Sequence, residues 1–171
     1  MMKTRGFTLI ELLVVIAILS ILITLGSKGI RSARLSAKKA QARIEMASIE
    51  TAVKAYRNKY GKLPLSPGQQ GQAEPAFDEA FSMETILALA GENIDLNPVR
   101  MVFLEPQGAT VSNGAFTDPW GEQYLIGLDS DYDGEVKLEG ETILRKVAVV
   151  SVGLYYLNRS ADTNDLIKSW N

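Results

Sequence analysis

The chain has 171 residues, is 46% hydrophobic and 22% charged, and carries a formal net charge of −2 with no cysteine and no histidine. Without histidine it lacks the commonest zinc ligand and general base, which excludes ordinary zinc enzymes and histidine-based triads, and without cysteine an exported domain must stand without disulfides. With 18 basic against 20 acidic residues there is no extended basic face outside one helix, which argues against nucleic acid as a partner.

The chain opens on a short basic leader, Met1 to Gly6, followed by an apolar run from Phe7 to Leu25 whose one charged residue is Glu11 near its start. As a helix rising about 1.5 Å per residue, this run covers roughly 28 Å of hydrocarbon, just enough to span a bilayer. A secretory signal peptide has an apolar core of about 7 to 15 residues and then a small-residue cleavage site. Here the stretch is longer and runs straight into more helix-forming sequence, so no cut is expected after it. An ionised carboxylate at membrane depth costs about 2.5 to 3.5 kcal/mol on insertion scales and marks a function or a partner. Glu11 therefore calls for a cation, unless it snorkels or is protonated near the interface.

Gly6, Phe7 and Glu11, set in GFTLIELLVVIAIL, resemble the type IV pilin and type II secretion pseudopilin superfamily, whose precursors join a basic leader ending in glycine to a phenylalanine and then a glutamate. The resemblance implies that a membrane-embedded prepilin peptidase cuts the Gly6-Phe7 bond on the cytoplasmic face. It further implies that Phe7 is then N-methylated and that Glu11 pairs with this new terminus during filament assembly. Loss of Lys3 and Arg5 with the leader takes the formal net charge from −2 to −4. The run is followed by Lys28, Arg31, Arg34, Lys38, Lys39 and Arg43 with no acid before Glu45, so the positive-inside rule alone would leave the carboxyl-terminal domain in the cytoplasm. The resemblance implies the opposite, because processing is cytoplasmic and the domain lies outside.

Helical patterning continues to about Tyr60, giving a helix of roughly 50 residues and about 80 Å from Phe7. Ile30, Ala33, Ala37, Ala40, Ile44 and Ala47 form a narrow small-residue seam suited either to close helix approach between subunits or to solvent. Met46, Ile49, Val53, Tyr56 and Tyr60 form a bulky seam rotated by about 200°, expected to pack on the chain's own domain. Gly26 and Gly29 each weaken the helix by about 1 kcal/mol relative to alanine, which allows a local melt there. Many members of the family have a proline where this chain has Lys28.

Gly61, Pro64, Pro67, Gly68 and Gly71 then end the helix and make a loop, and Asp78 to Ala90 reads as a second short helix stopped by Gly91. Strands are expected over Met101 to Leu104, Gln123 to Leu128, Glu135 to Leu138 and Ile143 to Ser151. The expected fold is α+β, a long amino-terminal helix packed on a small antiparallel sheet. Residues 1–6 form the leader, 7–60 the helix with 7–25 in the membrane, and 61–171 a periplasmic globular domain.

Asp118-Pro119-Trp120-Gly121 with Tyr124, Ser151-x-Gly153, and Asp165-Leu166-Ile167-x-Ser169-Trp170 resemble, in that order, the major pseudopilin of type II secretion. Taken singly, Asp118-Pro119 is a turn initiator and Trp120 and Trp170 are packing aromatics. The terminal acidic loop of that family binds calcium through an aspartate two residues after the Ser-x-Gly glycine. Tyr155 stands in that place here, leaving Asp162 and Asp165 as the ligands the resemblance implies. A second calcium candidate is Asp129-Ser130-Asp131-Tyr132-Asp133-Gly134, the D-x-D-x-D-G opening of an EF-hand-type loop, with Asp129, Asp131 and Asp133 converging on a hard cation. Its twelfth position is Gly140 rather than a bidentate glutamate, and strands flank it, so a solvated acidic turn is the competing reading. Without metal, three carboxylates so close repel one another.

The resemblance implies a non-catalytic structural subunit of a type II secretion pseudopilus. Its partners are the prepilin peptidase, like and related pseudopilins, an inner-membrane assembly platform, and membrane lipid before assembly. The alternatives are a type IV pilin building an extracellular fibre and a membrane-anchored calcium-binding or enzymatic domain. Zero cysteines argue against the many pilins with a disulfide-closed terminal loop, and no carboxylate pair is tied by spacing to a nucleophile or phosphate loop.

Overall fold

The computed structural model describes residues 7–72, 78–105, 111–112, 115–138, 140–158 and 166–170, with the side chains of 24–29, 111, 112, 115 and 158 outside that description. The chain forms two compact units, Met1–Ala37 and Lys38–Asn171. Helix α1, Leu9–Tyr60, runs through both. In the first unit its apolar side chains from Leu9 to Ile23 are exposed to solvent along their whole described length.

In the second unit, α1 is sided as the bulky seam predicts. Met46, Ile49, Val53 and Tyr56 are buried and Tyr60 is half-buried against the same core, while Ala40, Ile44 and Ala47 of the small seam remain exposed. Helix α2, Glu79–Ala90, starts where Asp78 accepts the Phe81 N–H at 2.8 Å. It stops at Gly91, whose φ of 81° is the left-handed closure that favours glycine. The amides of Gly91 and Glu92 then satisfy Ala88 O and Leu87 O.

The sheet is antiparallel in the order β3–β6–β7, with β3 at Leu125–Leu128, β6 at Val147–Ser151 and β7 at Ile167–Lys168. Two hairpins accompany it: β1, Val111–Ser112, with β2, Ala115–Phe116, and β4, Val136–Leu138, with β5, Glu141–Ile143. All five residues of β6 are buried. Val147 and Val149 join the α1 core, while Ala148 and Val150 pack with Val136, Leu138 and Ile143 of the β4–β5 hairpin. The domain is thus α+β in three layers: helix, sheet and hairpin. Close approach of the outer layer requires Gly127, where a Cβ would lie 2.5 Å from Val136 Cγ1.

The structure corrects part of the strand reading. Met101–Leu104 is not a strand: the amides of Phe103 and Leu104 both donate to Leu89 O, and the buried Asn97 side chain donates to Ala88 O and Met101 O. Backbone partners at the end of α2 have taken the groups a ladder would need, and Phe103 instead stacks edge-on to Tyr56 with centroids 5.4 Å apart. Ile143–Ser151 is interrupted by a bend over 144–146, because Arg145 N turns back to Ile143 O and Lys146 O accepts from Asp129 N. Helix α3, Gly153–Asn158, and strands β1, β2 and β7 lie outside the elements the sequence pattern predicts.

Buried polar groups link the layers. Asp118, 4% exposed, accepts from Trp120 N and Glu122 N within its own turn. From the end of β6 it also accepts from Ser151 Oγ at 2.5 Å and Gly153 N at 2.9 Å. A Cβ at Gly153 would sit 2.6 Å from both Asp118 oxygens, so Asp-Pro-Trp-Gly and Ser-x-Gly are two halves of one latch. Against α1, the Tyr124 hydroxyl donates to Glu45 Oε2 at 2.5 Å, and Gln41 Nε2 donates to the other oxygen. Tyr56, fully buried, donates to Leu96 O.

Asp118→Ala leaves four donors without their charged acceptor. At about 1.5 to 3 kcal/mol for each such bond, partly offset by water entry, it should lower unfolding free energy by about 3 kcal/mol or more in urea titration of a chain beginning at Lys38. An effect below about 1 kcal/mol would mean that the latch is not a stabilising element.

Burial, followed by the Tyr60 phenol beside it, pushes the Tyr56 phenol up from 10.0 to about 12, and burial with the Glu45 hydrogen bond raises Tyr124 further still. Between these values the unfolded chain loses the phenolic proton and the folded chain keeps it, so stability is full below pH 10 and lost as pH rises towards 12. The urea midpoint should fall across that window, and less steeply in Tyr56→Phe. A midpoint that is flat to pH 12 would contradict the assignment.

Candidate functional sites: the helix amino terminus and an acidic turn

The first residues of α1 close on themselves. Thr8 sits before the first helical residue, and its hydroxyl accepts from Glu11 N at 3.3 Å. Glu11 Oε2 accepts from Thr8 N at 2.9 Å and from the Thr8 hydroxyl at 2.8 Å. This is a reciprocal capping box, and its sequence signal is Thr-x-x-Glu before an apolar run, here Thr8 and Glu11. The cap satisfies helix amides that have no intrahelical partner and places a carboxylate at the positive end of the helix dipole. It also sets that carboxylate one residue from Phe7 N, the atom that cleavage of Gly6-Phe7 would turn into an amine. Phe7 is 78% exposed, and Gly6 lies outside the described residues.

Beyond the cap, Leu9, Ile10, Leu12, Leu13, Val14, Val15, Ile16, Ile18, Leu19, Ile21, Leu22 and Ile23 are between 45% and 82% exposed. Among the described residues no helix is long and apolar enough to cross a membrane. The described side chains of the apolar run stop at Ile23, short of the expected end at Leu25.

The second site is the turn joining β3 to β4. One carboxylate oxygen from each of Asp129, Asp131 and Asp133 lies within 4.8 Å of the others. Asp129 is 2% exposed, Asp131 half-buried and Asp133 exposed. Asp129 Oδ2 accepts from Gly134 N at 3.2 Å, and Asp133 Oδ1 accepts from Glu135 N at 2.8 Å. The turn is anchored to the loop after α1, because Gly71 N donates to Ser130 O and Ser130 Oγ donates to Gln72 O. Asp162 and Asp165 lie outside the described residues. Tyr155, in the place of the expected aspartate, meets the Tyr156 ring edge-on with centroids 5.6 Å apart.

Residues 1–27 match the prokaryotic N-terminal methylation motif, which is characteristic of the type IV pilin and pseudopilin superfamily. The matched segment contains Gly6, Phe7, the Thr8–Glu11 cap and the apolar run. No curated protein and no solved structure matches the chain.

Thr8→Val removes the hydroxyl from the cap and should cost about 1 kcal/mol locally. Amide exchange of residues 8 to 11 in detergent micelles should accelerate about fivefold, with exchange in α2 unchanged. Equal rates in the two proteins would show that the box does not hold the helix start.

Proposed function

We propose that this chain, which carries an N-terminal methylation motif, is a non-catalytic structural subunit of a type II secretion pseudopilus. A prepilin peptidase processes it at Gly6-Phe7, Phe7 is N-methylated, and the mature chain polymerises through α1 in a periplasmic filament that helps drive protein export. Before assembly it is a single-pass protein of the bacterial inner membrane, solvated by lipid at the apolar run and recruited by an inner-membrane assembly platform. The carrying observation is the coincidence, in one segment, of the methylation motif and an apolar helical surface that the chain leaves uncovered. Lipid before assembly and like helices after it are the two solvents that suit such a surface.

The capping box supports a role for Glu11 in this cycle. The carboxylate is already turned towards the helix start, so the amine created at Phe7 emerges beside an anion. Pairing the two, within one subunit or across neighbours, offsets the cost of burying either charge in a helix bundle. The exposed Ala40, Ile44 and Ala47 offer a low-relief surface for a neighbouring helix. A secretion-system subunit is favoured over a pilus fibre by the absence of cysteine and by the Asp118–Ser151–Gly153 latch, which gives the motif shared with the major pseudopilin pattern a physical basis.

Mass spectrometry of the chain from peptidase-competent cells should show N-methylphenylalanine from Phe7 at its start, and Gly6→Leu should accumulate uncut in the membrane. An intact Met1 terminus would refute processing. Glu11→Leu should be cleaved as usual and inserted, with filament yield reduced at least tenfold. Filaments at the unmutated yield would refute the pairing.

A further inference from the structure

We propose that the β3–β4 turn is a calcium site built from Asp129, Asp131 and Asp133, and that cation binding there fastens the loop 66–72 to the sheet. Two independent observations carry this. The first is convergence: three carboxylate oxygens, one from each residue, lie within 4.8 Å of one another, a spacing at which one hard cation can touch all three. The second is an orphan. Asp129 is 2% exposed, yet its Oδ1 has no hydrogen-bond partner among the described residues, while Oδ2 is engaged by Gly134 N.

A buried anionic oxygen with neither donor nor cation is strongly unfavourable, and natural folds place such atoms where something binds. A divalent ion resolves both problems at once. It gives the orphan oxygen a partner and turns the mutual repulsion of three acids into shared attraction. The donors are all hard oxygens, which suits calcium or magnesium and not the soft thiophilic metals. Calcium is preferred because it tolerates irregular, incomplete protein cages, whereas magnesium requires near-octahedral geometry and gives up its water reluctantly.

The same chemistry sets the strength. In an EF-hand-type loop the twelfth residue supplies a bidentate carboxylate, and here that residue is Gly140, so water must complete the shell. The affinity is that of extracellular modules, a Kd of about 10⁻⁴ to 10⁻³ M. Ser130, between the first two ligands, holds Gly71 N through its carbonyl at 2.8 Å and Gln72 O through its hydroxyl at 2.6 Å. Ordering the turn therefore orders the loop that follows α1. The site stands whether or not the chain assembles into filaments.

The test uses the full chain in detergent, titrated with calcium chloride or magnesium chloride by calorimetry and melted with calcium or with chelator. Terbium luminescence sensitised by Tyr132, at the fourth place of the loop, reports the location directly. The unmutated chain should bind calcium in the stated range, melt higher with it, and protect the Gly71 amide from exchange. Asp131→Asn with Asp133→Asn, both outside the core, should weaken calcium binding at least tenfold and abolish terbium emission. Asp129→Asn keeps an acceptor for Gly134 N; it should lose the calcium response while melting no lower than the unmutated chain in chelator. The proposal is overturned by any of four results: no calcium response in the unmutated chain, an equal response to magnesium, a response that survives the Asp131/Asp133 change, or one lost only in Asp162→Asn with Asp165→Asn.

Discussion

An apolar helical surface that the protein does not itself cover is the constraint on which the rest depends. From Leu9 to Ile23 the apolar side chains of α1 are exposed. Burial of a Leu, Ile or Val side chain is worth about 1.5 to 3 kcal/mol, so leaving a dozen of them in water is untenable for a free subunit. The surface has to be covered by something outside the chain. Glu11 fits this demand because the capping box ties its carboxylate to the helix start, where dipole and free amides favour an anion.

The same helix meets the opposite demand in its second half. There one face carries large side chains that become the floor of a core, and the other carries alanines that stay in contact with solvent. Strand β6 is the middle of the resulting stack, with alternate side chains serving α1 and the outer hairpin. A strand covered on both faces has no polar alternation, which explains its unbroken Val-Ala-Val-Val composition. Asp118 joins the ends of this stack through hydrogen bonds that no hydrophobic contact could direct so specifically. Lys38 adds a further tie, donating to Pro119 O and lying over the Trp120 ring at 5.6 Å.

Periodicity made α1 and α2 legible in the sequence, and it left the polar cross-links hidden. Met46, Ile49, Val53 and Tyr56 point inward as their spacing requires, and Asp78 and Gly91 bound α2 as a cap acceptor and a left-handed stop should. Met101–Leu104 has strand composition but lies within reach of the free carbonyl of Leu89, and local capping beat sheet pairing. The pairing of Glu45 with Tyr124, 79 positions apart, leaves no trace in local pattern. Asp118-Pro119-Trp120-Gly121 and Ser151-x-Gly153 were visible as motifs, while the reason they occur together is a contact that only the fold reveals. The cap at Thr8 was legible as Thr-x-x-Glu, and the convergence of Asp129, Asp131 and Asp133 was legible as D-x-D-x-D-G. The burial of Asp129, which gives that motif its force, was not.

The account stands on α1 exchanging lipid for neighbouring helices, and the cysteine-free chain allows a direct measurement of that exchange. Single cysteines placed at Ala40 or Ala47 on the exposed alanine face, and at Thr142 as a control on the exposed side of the β4–β5 hairpin, would be oxidised in membranes of cells making the subunit. The account predicts disulfide-linked dimers from Ala40→Cys or Ala47→Cys and a ladder of higher species when Ala33→Cys is combined with Ala40→Cys, with neither from Thr142→Cys, and loss of both in the Glu11→Leu background. Equal cross-linking at Thr142 and on the alanine face, or full cross-linking without Glu11, would contradict assembly through this helix.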